Sequence, residues 1–240
     1  MEPDARPQSS RKIGVVTGLA SEAVVATAML GDTSPSVEIV CAGASAARAE
    51  RLARQLVAGG VEALLSFGIA GALSPDLDCG DLLIANGVRG ADGSDYPCHV
   101  AWRAALMEEL ARSALPYRQE PLLASNRTLM LANDKQKAYR ESGCLAVDME
   151  SGAVAAVAAE AGLPFLAVRA IADRAQDNLP ALVEHAVKPD GMPAIGRALA
   201  GMAKRPWEIP AVLRLARQSE LALARLRMLE TAKAALFGGF

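Results

Sequence analysis

Aromatic side chains are scarce: Phe, Trp and Tyr make up 4% of the 240 residues. A core built without them must be aliphatic, and the 52% hydrophobic content, mostly Ala, Leu and Val, supplies one that is rich in helix. Only two histidines are present, His99 and His185, and the four cysteines, Cys41, Cys79, Cys98 and Cys144, form no C-x-x-C pair. A zinc site is not expected from these residues, and the thiols read as buried and reduced. Formal net charge is -2, which argues against a grip on nucleic acid over the whole surface. No apolar run approaches the roughly 18–20 residues that span a bilayer. The opening "MEPDARPQSSRK" lacks the apolar stretch of a signal peptide. It reads as a frayed N-terminus over residues 1–11 of a cytoplasmic protein.

What is present alternates. "KIGVVTGLASEA" starts as a strand over Ile13–Thr17 and turns through Gly18 into a helix. "SVEIVCAGAS" reads as a second strand, and "AARAERLARQLVAGG" as a helix with Leu52, Leu56 and Val57 on one face and a Gly pair to stop it. "EALLSFGIAGAL" reads as a strand running into a Gly turn, "GDLLIANGV" as another strand, and "HVAWRAALMEELARSA" as an amphipathic helix. "PLLASN" and "CLAVDME" look like strands, "SGAVAAVAAEAG" like a helix of small residues, and "LPFLAVRAIAD" like a buried strand with a polar end. Strands that are apolar on both faces, alternating with helices, predict a mainly parallel sheet covered on both sides. Ligands bind such sheets at the carboxyl ends of the strands. Gly18, the Gly68–Gly71 stretch, Asp148, Glu150 and Asp173 all fall at such ends.

The domain is expected over 12–203. From about Lys204 a Pro-marked entry leads into one long helix, with Val212, Leu215, Ala222, Leu226, Leu229 and Leu236 on one stripe. Arg214, Arg217, Arg225 and Arg227 lie off it. This extension, 204–240, can pack on protein or lie on an anionic membrane surface.

Taken singly, the polar residues are not specific. Glu22 in the first turn of a helix favours the helix dipole whatever its function. Asp148 and Glu150 at a helix start can be capping residues. A lone glycine loop is weak evidence. Asp92, Asp95, Tyr96 and His99 read as a solvated loop, or alternatively as a rim around a sugar.

Together, "KIGVVTGLASEA", "SFGIAGAL", "VDMES" and "VRAIAD" resemble, in order and spacing, the nucleoside phosphorylase / methylthioadenosine–adenosylhomocysteine nucleosidase superfamily. The resemblance covers roughly residues 12–180. The "AGASAARAERLARQL" stretch, the "DKQKAYRESGCLAVDMES" lead-in and the "IPAVLRLARQSELALARLR" tail are most similar to the hopanoid-associated phosphorylase branch. That branch is implicated in removing adenine from adenosylhopane. The resemblance implies an α/β/α sandwich, a homo-oligomer, and no metal or organic cofactor. It implies Asp173 as the acid that protonates adenine N7, Glu150 as the clamp on the ribose hydroxyls and Met149 packed beside the sugar.

Glu22 matches the position that activates water in the nucleosidases, where the related phosphorylases carry an Arg for phosphate. Hydrolysis is therefore favoured over phosphorolysis. A phosphorylase would have to find its anion site among Arg127, Lys135 and Arg169. Three departures stand out, one of them Asp148 in place of the usual Glu before Met149, to which no role is assigned. Ile69 replaces a Ser in the glycine stretch with Gly68 and Gly71, which removes one polar contact near the nucleophile. Leu129 and Met130 fall where an aromatic stacks on the base, so an aliphatic sandwich is expected. A methylthioadenosine/adenosylhomocysteine nucleosidase and a non-catalytic nucleoside-lipid binding module remain as alternatives.

Overall fold

The computed structural model describes residues 11–30, 36–185, 191–192, 194 and 203–240. Most of the N-terminal segment expected to fray lies outside the described residues. The strands are β1 (Ile13–Thr17), β2 (Val37–Cys41), β3 (Ala63–Ala72), β4 (Leu82–Ile84), β5 (Gly87–Arg89), β6 (Asp95–Pro97), β7 (Leu122–Ala124), β8 (Ala146–Asp148) and β9 (Phe165–Asp173). The described helices are α1 (Ala20–Leu30), α2 (Ala46–Ala58), α3 (Val100–Arg112), α4 (Ala132–Ser142), α5 (Ser151–Ala161), α6 (Ile209–Arg227) and α7 (Lys233–Gly238).

The strands form one mixed sheet with helices on both faces, as the alternation predicts. It is less parallel than expected. β3 pairs in parallel with β1 and β9, but antiparallel with β8, and β4 runs antiparallel to β9. "GDLLIANGV" splits into β4 and β5, and the stretch expected as a solvated loop contains β6, paired antiparallel to β5. His99 is the N-cap of α3, its Nδ1 accepting from Trp102 N at 3.3 Å. Asp95 pairs with Arg89 at 2.8 Å.

β3 is the hub. Its first half is flanked by β1 and β9, and its far end, Gly71–Ala72, takes up β8. Gly68 to Gly71 therefore lie inside a strand, not in a turn after it. The register with β9 slips at this end: Ala70 faces Ile171 and Gly71 faces Asp173. A bulge of this kind re-aims a side chain. Here it sets Asp173 against Gly71. The antiparallel return of β8 delivers Asp148, Met149 and Glu150 to the same place.

Packing follows the pattern of small residues. α2 buries Ala49, Ala53 and Leu56 against α5, which buries Val154, Ala155, Val157 and Ala158. Short side chains let these two helices lie close on one face of the sheet. α2 is capped by Ser45, whose Oγ accepts from Arg48 N. α5 is stopped by Gly162 at φ 64°, a left-handed position that favours glycine. α1 and α6 cover the other face.

The C-terminal extension packs against the domain. α6 lies along β9, and Ala222, Leu223, Leu226, Leu229, Ala232, Ala235 and Leu236 are buried. Trp102, fully buried in α3, donates its indole N–H to Ala235 O and Leu236 O at 3.0 and 3.1 Å. The single long helix expected here is broken by a 3-10 turn over Met228–Ala232. This lets α7 turn back onto α3. Val212 and Leu215 are half-buried, while Arg214, Arg217 and Arg227 face solvent. Among the described residues no helix is long and apolar enough to cross a membrane.

Candidate active site

All six buried charged side chains among the described residues meet at the ends of β1, β3, β8 and β9: Glu22, Lys135, Asp148, Glu150, Arg169 and Asp173. Four are acids and two are bases. A buried cluster with more carboxylates than cations is costly unless some of the acids hold protons. It also favours a ligand that develops positive charge.

All four acids border one cavity together with Gly18, Ile69, Gly71, Leu129 and Met149. The glycines have a shared purpose. A Cβ on Gly68 would lie 2.5 Å from Glu22 Cδ, and one on Gly18 would lie 3.0 Å from Glu150 Cδ. On Gly71 it would lie 3.2 Å from both carboxylate oxygens of Asp173. Each glycine makes room for one carboxylate, which is why the interior of β3 carries Gly68 and Gly71, residues that weaken strands.

Glu22 follows the β1–α1 turn and folds back onto it. Its Oε2 accepts from Gly18 N and Leu19 N, and its Oε1 from Ile69 N, all at 2.8 Å. Three backbone N–H groups converging on one point form an anion nest, and here the protein's own carboxylate fills it. The contribution of Ile69 to the nest is its backbone N–H, which the exchange of its side chain does not affect. Burial raises the pKa of Glu22, opposed by the Ile69 N–H, the Arg169 charge and the other two N–H groups.

Glu150 stands at the N-cap position of α5 without capping it. Capping falls to Asp148, whose oxygens accept from Ser151 N at 3.3 Å. Burial, then the charges of Asp148 and Glu22, push Glu150 up to about 8, against the pull of Arg169. Asp148 is committed to structure. It accepts from Arg169 Nε at 2.9 Å and Nη2 at 2.5 Å and from Ser151 Oγ, and Arg169 Nη2 reaches Ser66 Oγ at 2.6 Å. Met149 borders the cavity, and its sulfur accepts from Thr128 Oγ1 at 3.4 Å.

Asp173 closes β9. Its Oδ2 accepts from the buried ammonium of Lys135. Burial raises its pKa, Lys135 opposes that, and Asp177 adds to it.

The residues expected to hold a base are only half in place. Leu129 borders the cavity but Met130 does not. The Met130 carbonyl instead accepts from Leu179 N at 2.8 Å, and Leu179 lines the cavity. Leu179 lies beyond the matched motifs, and no sequence signal marks it. The expected anion residues are also redistributed. Arg169 is locked to Asp148 and Lys135 to Asp173. Arg127 is on the rim, 72% exposed and 3.9 Å from Asp134. Asp92 and Tyr96 border a separate hollow that meets the first at Met149.

A mixed sheet between helical layers, with buried carboxylates at the strand ends, defines a class that the comparisons identify. The chain belongs to the Phosphorylase superfamily, whose family model matches residues 5–205. Its fold is that of the nucleoside phosphorylases and nucleosidases. It is similar in structure to the Helicobacter pylori 5'-methylthioadenosine/S-adenosyl homocysteine nucleosidase, with a TM-score of 0.73 and 16% identity over 95% of this chain and 99% of that one. Futalosine hydrolase of Helicobacter pylori matches with a TM-score of 0.72 and 16% identity over 95% and 97%. S-adenosylhomocysteine nucleosidase from Streptococcus pyogenes, in complex with 5-methylthiotubericidin, matches with a TM-score of 0.71 and 18% identity over 95% and 98%. No curated protein matches the chain in sequence.

Proposed function

We propose that this protein hydrolyses the N-glycosidic bond of a 5'-substituted adenosine and releases adenine. The observation that carries the choice of water is Glu22 in the amide nest. The three N–H groups that could bind a phosphate already bind a carboxylate. Among the described residues both buried cations are paired with acids. Phosphate would have to displace Glu22 and sit among carboxylates.

In this reading the C1'–N9 bond breaks with its electron pair moving to the base, while Asp173 delivers a proton to N7. Burial keeps that proton on Asp173 to a higher pH than an exposed Asp allows. The ribose becomes oxocarbenium-like. Glu150 holds its hydroxyls, and the surrounding negative charge stabilises C1'. Glu22 takes a proton from water as the oxygen bonds to C1', and burial, which raises its pKa, makes it a stronger base than an exposed carboxylate. Solvent then moves one proton from Glu22 to Asp173. Met149, soft and polarizable, packs on the flattening sugar. Leu129 and Leu179 hold the base by apolar contact.

For the 5'-substituent we propose the hydrocarbon of adenosylhopane. Support comes from the resemblance of the tail and of the lead-in to β8. The exposed stripe of α6, with Leu213, Arg214, Arg217 and Leu221, fits a lipid-rich setting at an anionic surface. Because α6 is also part of the core, the surface is tested by Arg214→Glu with Arg217→Glu. The double variant is expected to lose co-sedimentation with anionic vesicles while keeping its Tm. Equal sedimentation of both proteins would remove the membrane claim.

Adenine release from adenosylhopane and from 5'-methylthioadenosine, compared at matched concentration, tests the substrate. Preference for the second would make the protein a methylthioadenosine-type nucleosidase. Tight binding of either with no release would make it a binding module.

A further inference from the structure

Lys135 is an improbable place for a charge. It sits in the first turn of α4, where the helix dipole disfavours a cation, and it is 1% exposed. Its ammonium has three protons and three acceptors: Asp173 Oδ2, Arg174 O at 2.8 Å and Asp177 O at 3.1 Å. With all three used, it has no proton left for a substrate. The same two chain segments are joined twice more. Ala132 N donates to Asn178 Oδ1 at 2.8 Å, and Leu179 N donates to Met130 O at 2.8 Å. Segment 130–135 and segment 173–179 thus form a clasp along the cavity, with Leu129 and Leu179 at its lips and the Lys135–Asp173 pair at its root.

We propose that Lys135 is a positioning residue for Asp173: it binds Oδ2, leaves Oδ1 to the leaving base, and stabilises the carboxylate that remains once the proton has gone. This rests on the nucleosidase reading, in which Asp173 is the acid. The pairing has a chemical logic. A buried acid without a cation keeps its proton too well, and a cation in contact makes the proton transferable. Among the described residues the other titratable groups around Asp173 are Asp177 from the following loop, Cys79, whose Sγ donates to Ala172 O, and Glu22 and Glu150 across the cavity. Lys135 is the one buried cation among them.

The test is the pH profile of kcat for Lys135→Met and Lys135→Arg beside the wild-type enzyme. An opposite charge at this range moves a carboxyl by about 1–3 pH units. Lys135→Met is therefore expected to move the alkaline limb, which reports loss of the Asp173 proton, upward by about 1–3 units. Its kcat at the optimum should fall about tenfold to a hundredfold. Lys135→Arg keeps the charge and should hold the limb at the wild-type position. A lower kcat with an unmoved limb in Lys135→Met would mean the lysine is only structural and would overturn the proposal.

The titration of Asp173 by carbon-13 NMR in the substrate-free protein separates this claim from the nucleosidase reading. An upward shift in Lys135→Met supports the coupling even if the wild-type enzyme releases no adenine. No shift refutes it even if the enzyme is active. Should Lys135→Met fail to fold, Lys135→Gln is read in the same way.

Discussion

Replacing Glu22 by Gln changes one atom of the site and tests both of the carboxylate's proposed tasks. The carboxylate accepts three backbone N–H bonds at 2.8 Å through two oxygens. An amide has one carbonyl. If that carbonyl keeps Gly18 and Leu19, the amide NH2 points at the Ile69 N–H, donor against donor. One buried N–H left without an acceptor costs about 1–3 kcal/mol. At about 2–4 °C per kcal/mol for a domain of this size, Tm should fall by several degrees. Loss of the base should lower kcat by about a hundredfold to ten-thousandfold. Adenine release would be followed by chromatography and Tm by calorimetry on the same preparations. Glu22→Gly, which empties the nest, should regain part of its activity with added formate, a small carboxylate that can take the same three N–H bonds. A Gln variant that turned over at the wild-type rate would show that Glu22 neither activates water nor needs its charge.

Other expectations follow from the same geometry. Gly68→Ala places a methyl 2.5 Å from Glu22 Cδ, whereas Gly71→Ala approaches Asp173 only to 3.2 Å. The first should lose about a hundredfold in kcat/KM and the second much less; the reverse order would mean the glycines do not seat the carboxylates. Arg169→Met leaves Asp148 buried without its cation and should cost about 3–5 kcal/mol in urea unfolding, a loss that Asp148→Asn in the same chain should partly relieve. Glu150 must be ionised to clamp the ribose, so kcat/KM should fall as pH drops below about 8, and that limb should vanish in Glu150→Gln. Its linkage to stability has the opposite sign. Between the unfolded value of 4.5 and about 8 the folded protein holds a proton that the unfolded chain has lost. This one group therefore lowers stability by about 1.4 kcal/mol per pH unit of rise, a slope that Glu150→Gln should flatten in urea titrations.

Much of this was legible in the residues, for identifiable reasons. β1 and β9 are buried at every position and so appear in the sequence as unbroken apolar runs. α2 shows its buried face at helical spacing. The three carboxylates stand where strand runs end. What was hidden depends on tertiary contact. α4 has only Ala132, Ala138 and Tyr139 as apolar members of eleven residues, so no hydrophobic period marks it, and its buried face turns on a lysine. The antiparallel return of β8 and the bulge that sets Asp173 opposite Gly71 leave no local signature. Gly68 and Gly71 resemble a turn because strand glycines usually mark one. Their true reason, the carboxylates lying against them, exists only once distant segments have met. Lys135 and Arg169 looked like candidates for an anion because a lone cation in a sequence does not reveal its partner.

The central claim is that water, not phosphate, completes the reaction. The most direct measurement is adenine release from a 5'-substituted adenosine, adenosylhopane first, in detergent with and without inorganic phosphate. The same rate is expected in both, with the free ribosyl compound as product. Release that requires phosphate and yields a ribose 1-phosphate would contradict it, because Glu22 would then have to leave the nest it fills.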